Sequence, residues 1–275
     1  ILTDPPVQNE IHKEATHLAS RDATQKQTET LTKENVTSIK PEHENEPLDP
    51  YPWLDKDDKR RNMTDEEILK VKINLEDSKL SPEDKQIFYR FLLSHRDAFS
   101  LRDEIGTCFQ VHVVLELKNK EPFFVRPYVN KENLKPIIQK EMDRLEKLGI
   151  IKKGLTGYSS PILLVKRKNQ ELYRVCTDFR VLNSKLVRLN QAFPLVRDCL
   201  QAIGDSQCQV MSVIDLRDAY HTLRLAPESQ KYCGLTPYYG SPTYHYLRLG
   251  MGLSVSPAIW QQFINRVFQN IPNRD

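Results

Sequence analysis

The sequence predicts an α+β fold behind an acidic tail. Composition changes sharply near residue 62. Beyond it, short strand-like apolar runs and helical stripes follow one another without regular alternation, which disfavours a doubly wound parallel sheet. Internal repeats are absent.

Taken in chain order, residues 1–62 read as a disordered acidic linker. Its first 60 residues hold no Gly, and 8 Lys/Arg against 13 Asp/Glu leave them at −5. The segment ends in Pro41, Pro47, Pro50 and Pro52, and it cannot bury enough apolar area to offset its chain entropy. Residues 63–107 read as a helical connector. Thr64-Asp65-Glu66-Glu67 is an N-cap with an acidic first turn, and Ser81-Pro82 is a second helix start. Ile87, Phe88, Phe91, Leu92 and Phe99 follow at near-helical spacing.

Residues 108–275 read as the main domain. Val111–Leu117 is a Val-rich strand, and Pro122 and Pro127 interrupt the chain after it. Leu134, Ile137, Ile138, Met142, Leu145 and Leu148 make one helical stripe closed by Gly149. Ile162–Lys168 and Leu172–Phe179 read as a basic hairpin turning at Asn169-Gln170. Pro194–Ile203 is a helix closed by Gly204. Val210–Leu216 is a short buried strand, because it is apolar on both faces and flanked by polar segments. Cys233–Thr236 and Tyr244–Leu249 are further strands. Ser256-Pro257 opens a last helix with a cap and a first-turn Pro, burying Ile259, Trp260, Phe263, Ile264, Val267 and Phe268.

Of the 275 residues, 39% are hydrophobic, and no apolar run approaches the ~18 residues a membrane span needs. No basic start followed by an apolar stretch marks a secretory leader, and the first residue is Ile rather than Met, as expected of a piece processed or cut from a longer chain. Five scattered cysteines (Cys108, Cys176, Cys199, Cys208, Cys233) form no C-x-x-C pair, which points to reduced thiols in an intracellular compartment. Net charge is +3 overall, yet residues 151–200 alone carry +7. Such a stretch suits an anionic partner, and equally a solvated basic face.

Asp215 ends the apolar run Val213-Ile214, a rigid setting that suits a hard cation held by oxygens. Taken alone, an Asp there is more often an ordinary turn residue. Lys166-Arg167-Lys168, Arg174 and Arg180 could gather on the hairpin, where paired guanidinium groups make bidentate phosphate contacts. A Gly-rich phosphate loop, an H-E-x-x-H motif and a Ser/His/Asp arrangement are all missing. His221 and His245 read as packed strand residues.

From Cys108 to Asn273 the order of motifs resembles the fingers and upper palm of reverse transcriptases, most closely those of Gypsy-type long-terminal-repeat retrotransposon Pol polyproteins. Five stretches carry the resemblance: Leu145-Glu-Lys-Leu-Gly-Ile-Ile-Lys-Lys, Tyr158-Ser-Ser-Pro-Ile-Leu-Leu-Val-Lys-Arg-Lys, Tyr173-Arg-Val-Cys-Thr-Asp-Phe-Arg-Val-Leu-Asn, Val213-Ile-Asp-Leu-Arg-Asp-Ala-Tyr and Gly250-Met-Gly-Leu-Ser-Val-Ser-Pro-Ala-Ile-Trp-Gln. The resemblance implies an incomplete right-hand polymerase fold. It also implies Asp215 as the catalytic aspartate, holding Mg²⁺ (Mn²⁺ as the alternative ion) with help from the Leu216 carbonyl. Arg167, Arg174, the backbone of Asp218 and Ala219, Tyr220 and Met251 would contact a deoxynucleoside triphosphate, with Tyr220 crowding a ribose 2′-hydroxyl. Lys166, Lys168, Asp178, Arg180, Gly252 and Pro257 would serve an RNA or DNA template-primer. The remainder of the Pol polyprotein would be a further partner, in cytoplasmic virus-like particles and away from membranes.

Two departures stand out. Gly250 replaces the Pro usual in that loop, loosening the turn. No Tyr-x-Asp-Asp motif occurs, and the one Asp-Asp pair, Asp57-Asp58, sits near the acidic tail. The implied parent activity is template-directed DNA synthesis by a two-metal mechanism, with this chain inactive alone. The alternative is a truncated remnant that only binds nucleic acid or a protein.

Overall fold

The computed structural model describes residues 2–3, 49–166, 173–208 and 214–269. Nearly all of these belong to one compact unit, Ile1–Asp4 with Tyr51–Asp275. Most of the expected linker lies outside the described residues, but order begins earlier than residue 62. Leu54 is buried, the Trp53 indole donates to the Arg102 carbonyl at 2.7 Å, and Lys59–Arg61 forms a 3₁₀ turn. Two large apolar side chains, hidden within an acidic average, anchor the segment.

The connector builds its own small core. Helix α1 (Asp65–Lys72) starts on a full capping box between Thr64 and Glu67, and α2 (Pro82–Ser94) starts on the Ser81 hydroxyl. Ile68, Leu69, Leu92 and Leu101 are buried together, with Tyr89, Leu93 and Phe99 beside them. The apolar stripe expected on α2 is therefore displaced. Ile87, Phe88 and Phe91 face outward, because the 89/92/93 face packs on α1 and the Tyr89 hydroxyl donates to the Ile73 carbonyl at 2.7 Å. Beside this core, Asp65 pairs with Arg96 at 2.6 Å and with Arg102, a buried arginine.

The main domain is a set of small sheets around α3 (Lys135–Lys147). Strand β1 (Leu2–Thr3) pairs antiparallel with β2 (Cys108–Val113), which pairs parallel with β8 (Leu223–Leu225). β3 (Phe123–Phe124) pairs with β5 (Tyr158–Ser159), and β6 (Ile162–Lys166) forms a hairpin with β7 (Tyr173–Thr177). β10 (Tyr244–Tyr246) lies between β4 (Ile151–Lys153) and β9 (Gly234–Leu235). The core joins Ile138, Met142, Leu145 and Leu148 of the predicted stripe to Ile150, Ile162, Phe179, Leu182, Leu223, Tyr244 and Leu249. Gly149, at φ +63°, ends α3 as expected.

Gly234 shows how tight this core is. A Cβ there would lie 2.0 Å from the Tyr158 carbonyl oxygen, so only glycine lets β9 pass β5.

Three expectations are corrected along the second half. Helix α4 (Arg180–Lys185) follows β7, and α5 (Val196–Asp205) then runs through Gly204 rather than stopping at it; Gln207 takes the left-handed conformation at φ +51°. No residue of α5 is buried. A short helix α6 (Pro227–Gln230) precedes α7 (Ser256–Phe268). In α7 Ser256 is not the cap, because its hydroxyl donates to the Gly250 carbonyl at 2.8 Å, and Val267 and Phe268 are exposed. Finally, of the expected strand Val210–Leu216, Val210–Val213 lie outside the described residues, while Ile214–Leu216 form no strand and Ile214 is 84% exposed. Apolar identity alone suggested burial on both faces, but no described strand lies alongside to supply it.

Candidate functional site

The hairpin presents its basic residues outward. Lys166 stands opposite Tyr173, and Arg174 opposite Val165, both basic side chains exposed. Arg167 and Lys168, with the expected turn, lie outside the described residues.

At the foot of β7 the chain makes a polar knot. Asp178 is buried and accepts from the Tyr128 hydroxyl at 2.7 Å and from Arg180 Nε at 2.9 Å. The Arg180 guanidinium beside it, more than any other cause, holds the Asp178 carboxyl down to about 2. Arg180 also donates to the Tyr128 oxygen at 2.9 Å, yet its side chain stays 77% exposed. A planar cation is thus fixed in orientation while open to solvent.

The loop 250–254 lies against that knot. Gly252, at φ +93°, passes close to the Thr177 carbonyl, and a Cβ on Gly250 would press the Phe179 ring at 3.2 Å. Asn183 clamps the loop twice: its amide donates to the Gly252 carbonyl at 2.9 Å and accepts from the Ser254 N–H at 2.8 Å. Met251, Gly252 and Pro257 are exposed at the rim.

The aspartate segment is held differently. Asp215 is exposed and makes no ion pair among the described residues. Asp218 sits in the left-handed region at φ +44° and opens the 3₁₀ turn Ala219–Thr222, accepting from the His221 N–H at 2.8 Å. Tyr220 is half-buried, edge-on to Trp260 with ring centroids 6.2 Å apart. Burial lowers His221 to about 4, so it is neutral near pH 7, and its ring stacks on Tyr246. The Tyr246 hydroxyl is in turn 2.9 Å from the Thr177 hydroxyl. Through Tyr246 the foot of the hairpin and the 3₁₀ turn after Asp215 become one packed body.

Sequence reasoning missed Arg248. It is buried and donates to the carbonyls of Gly149, Gly106 and His221 at 3.0–3.1 Å, and burial lowers its pKa. Its place was readable: Tyr244, Tyr246 and Arg248 share one face of a strand, so an arginine occupies an inward position. Asn183 carried no comparable sign.

The exposed carboxylate of Asp215 suits one ligand position for a hard cation. Among the described residues, however, no group of three His, Cys, Asp or Glu side chains converges as a metal site. The described residues supply one such carboxylate and no complete site.

Comparison with known proteins decides the family. The family described as reverse transcriptase (RNA-dependent DNA polymerase) matches residues 165–275, which include Asp178, Asp215 and the 250–254 loop. This segment belongs to the reverse transcriptases. The chain is 28% identical over 181 residues to the Pol polyprotein from transposon 412 of Drosophila melanogaster, covering 64% of this chain and 14% of that protein. It is 25% identical over 192 residues to that from transposon gypsy of the same organism, covering 67% and 18%. The chain thus spans less than a fifth of the length of these relatives. Its fold is that of the foamy viral protease-reverse transcriptase solved with double-stranded DNA, with a TM-score of 0.60 and 21% identity over 76% of this chain and 36% of that one. The same viral protein solved with an RNA/DNA hybrid gives a TM-score of 0.59 at 19% identity, over 76% and 27%. No described helix is long and apolar enough to cross a membrane.

Proposed function

We propose that this chain supplies the fingers and the first palm aspartate of a polymerase that copies an RNA or DNA template from deoxynucleoside triphosphates. The observation that carries this reading is Arg180, locked by buried Asp178 and Tyr128 yet open to solvent, beside the Asn183-clamped loop and below a hairpin bearing Lys166 and Arg174. A cation oriented in advance binds phosphate with little further loss of side-chain freedom. In this reading Arg180, Asp178, Lys166, Lys168, Gly252 and Pro257 line the template path. Arg167 and Arg174 hold the triphosphate above the backbone of Asp218 and Ala219.

Tyr220 and Met251 border the sugar. Tyr220 is braced by Trp260, so a bulkier sugar meets a ring that cannot swing away. Asp215 and the Leu216 carbonyl would hold Mg²⁺, which when bound neutralises charge developing on the phosphates. The remaining carboxylates would come from elsewhere in the Pol polyprotein, in a particle of the kind that retrotransposon Pol proteins occupy.

Fluorescence anisotropy of a labelled RNA/DNA primer-template tests the binding half. Affinity should fall steeply with salt, and Arg180→Ala or Lys166→Ala should each reduce the log–log salt slope by about 1 if it removes one phosphate contact. An affinity that stays flat from low to high salt sinks the nucleic-acid reading. Mg²⁺-dependent primer extension by the chain joined to the rest of the Pol polyprotein, abolished by Asp215→Asn, tests the catalytic half.

A further inference from the structure

The connector is not an obvious part of a polymerase site, yet one of its side chains reaches the aspartate loop. Asp103 lies at the connector's end in a left-handed conformation, φ +63°, which aspartate tolerates better than most residues. Its carboxylate takes both prongs of Arg60, at 3.0 and 2.8 Å, and Arg60 is itself forked onto Asp58. Asp103 also accepts from Arg217 Nη1 at 2.9 Å. Arg217 stands two residues after Asp215. Among the described residues this pair is the one ionic or hydrogen-bonded side-chain attachment of Ile214–Arg217, a segment that belongs to no helix or strand.

Exposed ion pairs are usually weak. This one has two features that favour it. Asp103 is only 22% exposed, and its position is already set by the Arg60 fork, so Arg217 alone must be ordered to form it.

We infer that Asp103 is a positioning residue: through Arg217 it fixes where the Asp215 carboxylate stands, which makes the connector part of the polymerase site. This rests on reading Asp215 as the metal-binding aspartate. The test needs neither metal nor activity, so the two ideas can fail separately.

Backbone ¹⁵N relaxation on the 275-residue chain reads the loop directly. In the parent, Asp215–Arg217 should show order parameters near the rigid range, about 0.85. Asp103→Asn and Arg217→Gln should each drop them below about 0.6, and the double variant should go no lower than either single. Asp103→Glu should recover most of the order, because it keeps the charge. Asp65→Asn, which weakens the connector's other ion pairs with Arg96 and Arg102, should leave the loop unchanged. The proposal is overturned if the loop is equally ordered in Asp103→Asn, or if Asp65→Asn loosens it as much. Loss of order in Asp103→Asn, together with Mg²⁺-dependent primer extension by the longer Pol polyprotein that survives Asp215→Asn, would instead keep the coupling and refute the catalytic reading.

Discussion

Two parts of the site are built to opposite standards. The hairpin foot, Thr177 to Asn183 with the 250–254 loop, is held by a buried carboxylate, a double amide clamp and glycines that admit no side chain. The Asp215 segment is exposed and tied by one ion pair on its C-terminal side. A surface that meets a polymer backbone gains from being pre-shaped. A lone carboxylate that must join other ligands needs little more than a tether that sets its direction. The contrast says that the rigid half is lost as a whole only when the domain unfolds, whereas the aspartate half can be lost by cutting one tether with the fold intact.

That contrast can be broken from either side. Gly234→Ala should have the largest effect, because its Cβ would collide with the Tyr158 carbonyl; we expect a loss above about 3 kcal/mol in chemical denaturation. Arg248→Met should follow at about 2–4 kcal/mol, since three carbonyls in a closed site lose their donor. Asn183→Ala should cost about 1–2 kcal/mol and speed amide exchange at Ser254.

Acid should act in two steps, first at the 3₁₀ turn after Asp215 and then at the hairpin foot. His221 has its pKa lowered to about 4, so the unfolded chain takes up its proton first, and stability falls as pH drops from about 6.5 to 4. Asp178, lowered to about 2, contributes stability that is full above its ordinary carboxylate range and is lost as pH falls through about 2. Asp178→Asn should therefore differ most from the parent above pH 4 in a pH-melting series. Asp215→Asn should be the mildest, within about 0.5 kcal/mol of the parent, as befits an exposed carboxylate without a partner. A large shift there would mean the aspartate segment is structural after all.

Much of this was legible from sequence where local rules dominate. Thr64 and Ser81 announced their helices, Gly149 its cap, and Ile138, Met142, Leu145 and Leu148 their buried face. The errors share a cause: they depend on what lies alongside. Ile214 and Leu216 are apolar yet exposed, and Ile87 and Phe91 lose the inner face of α2 to Tyr89 and Leu93. Ser256 has the identity of a cap, but a tertiary partner, Gly250, claims its hydroxyl. At the site, family resemblance singled out Asp178 and Arg180 as template-side residues. Their mutual lock with Tyr128, 50 residues earlier, was not, because no local pattern links residues so far apart.

Arg248 carries one more consequence. Its three acceptors come from the connector's end at Gly106, the exit of α3 at Gly149 and the 3₁₀ turn at His221. The two apolar clusters would by themselves allow two lobes to melt independently. Because one guanidinium serves all three segments, releasing any of them strands a buried charge beside the others. Heating should then give a single calorimetric peak, the connector and the palm denaturing as one cooperative unit.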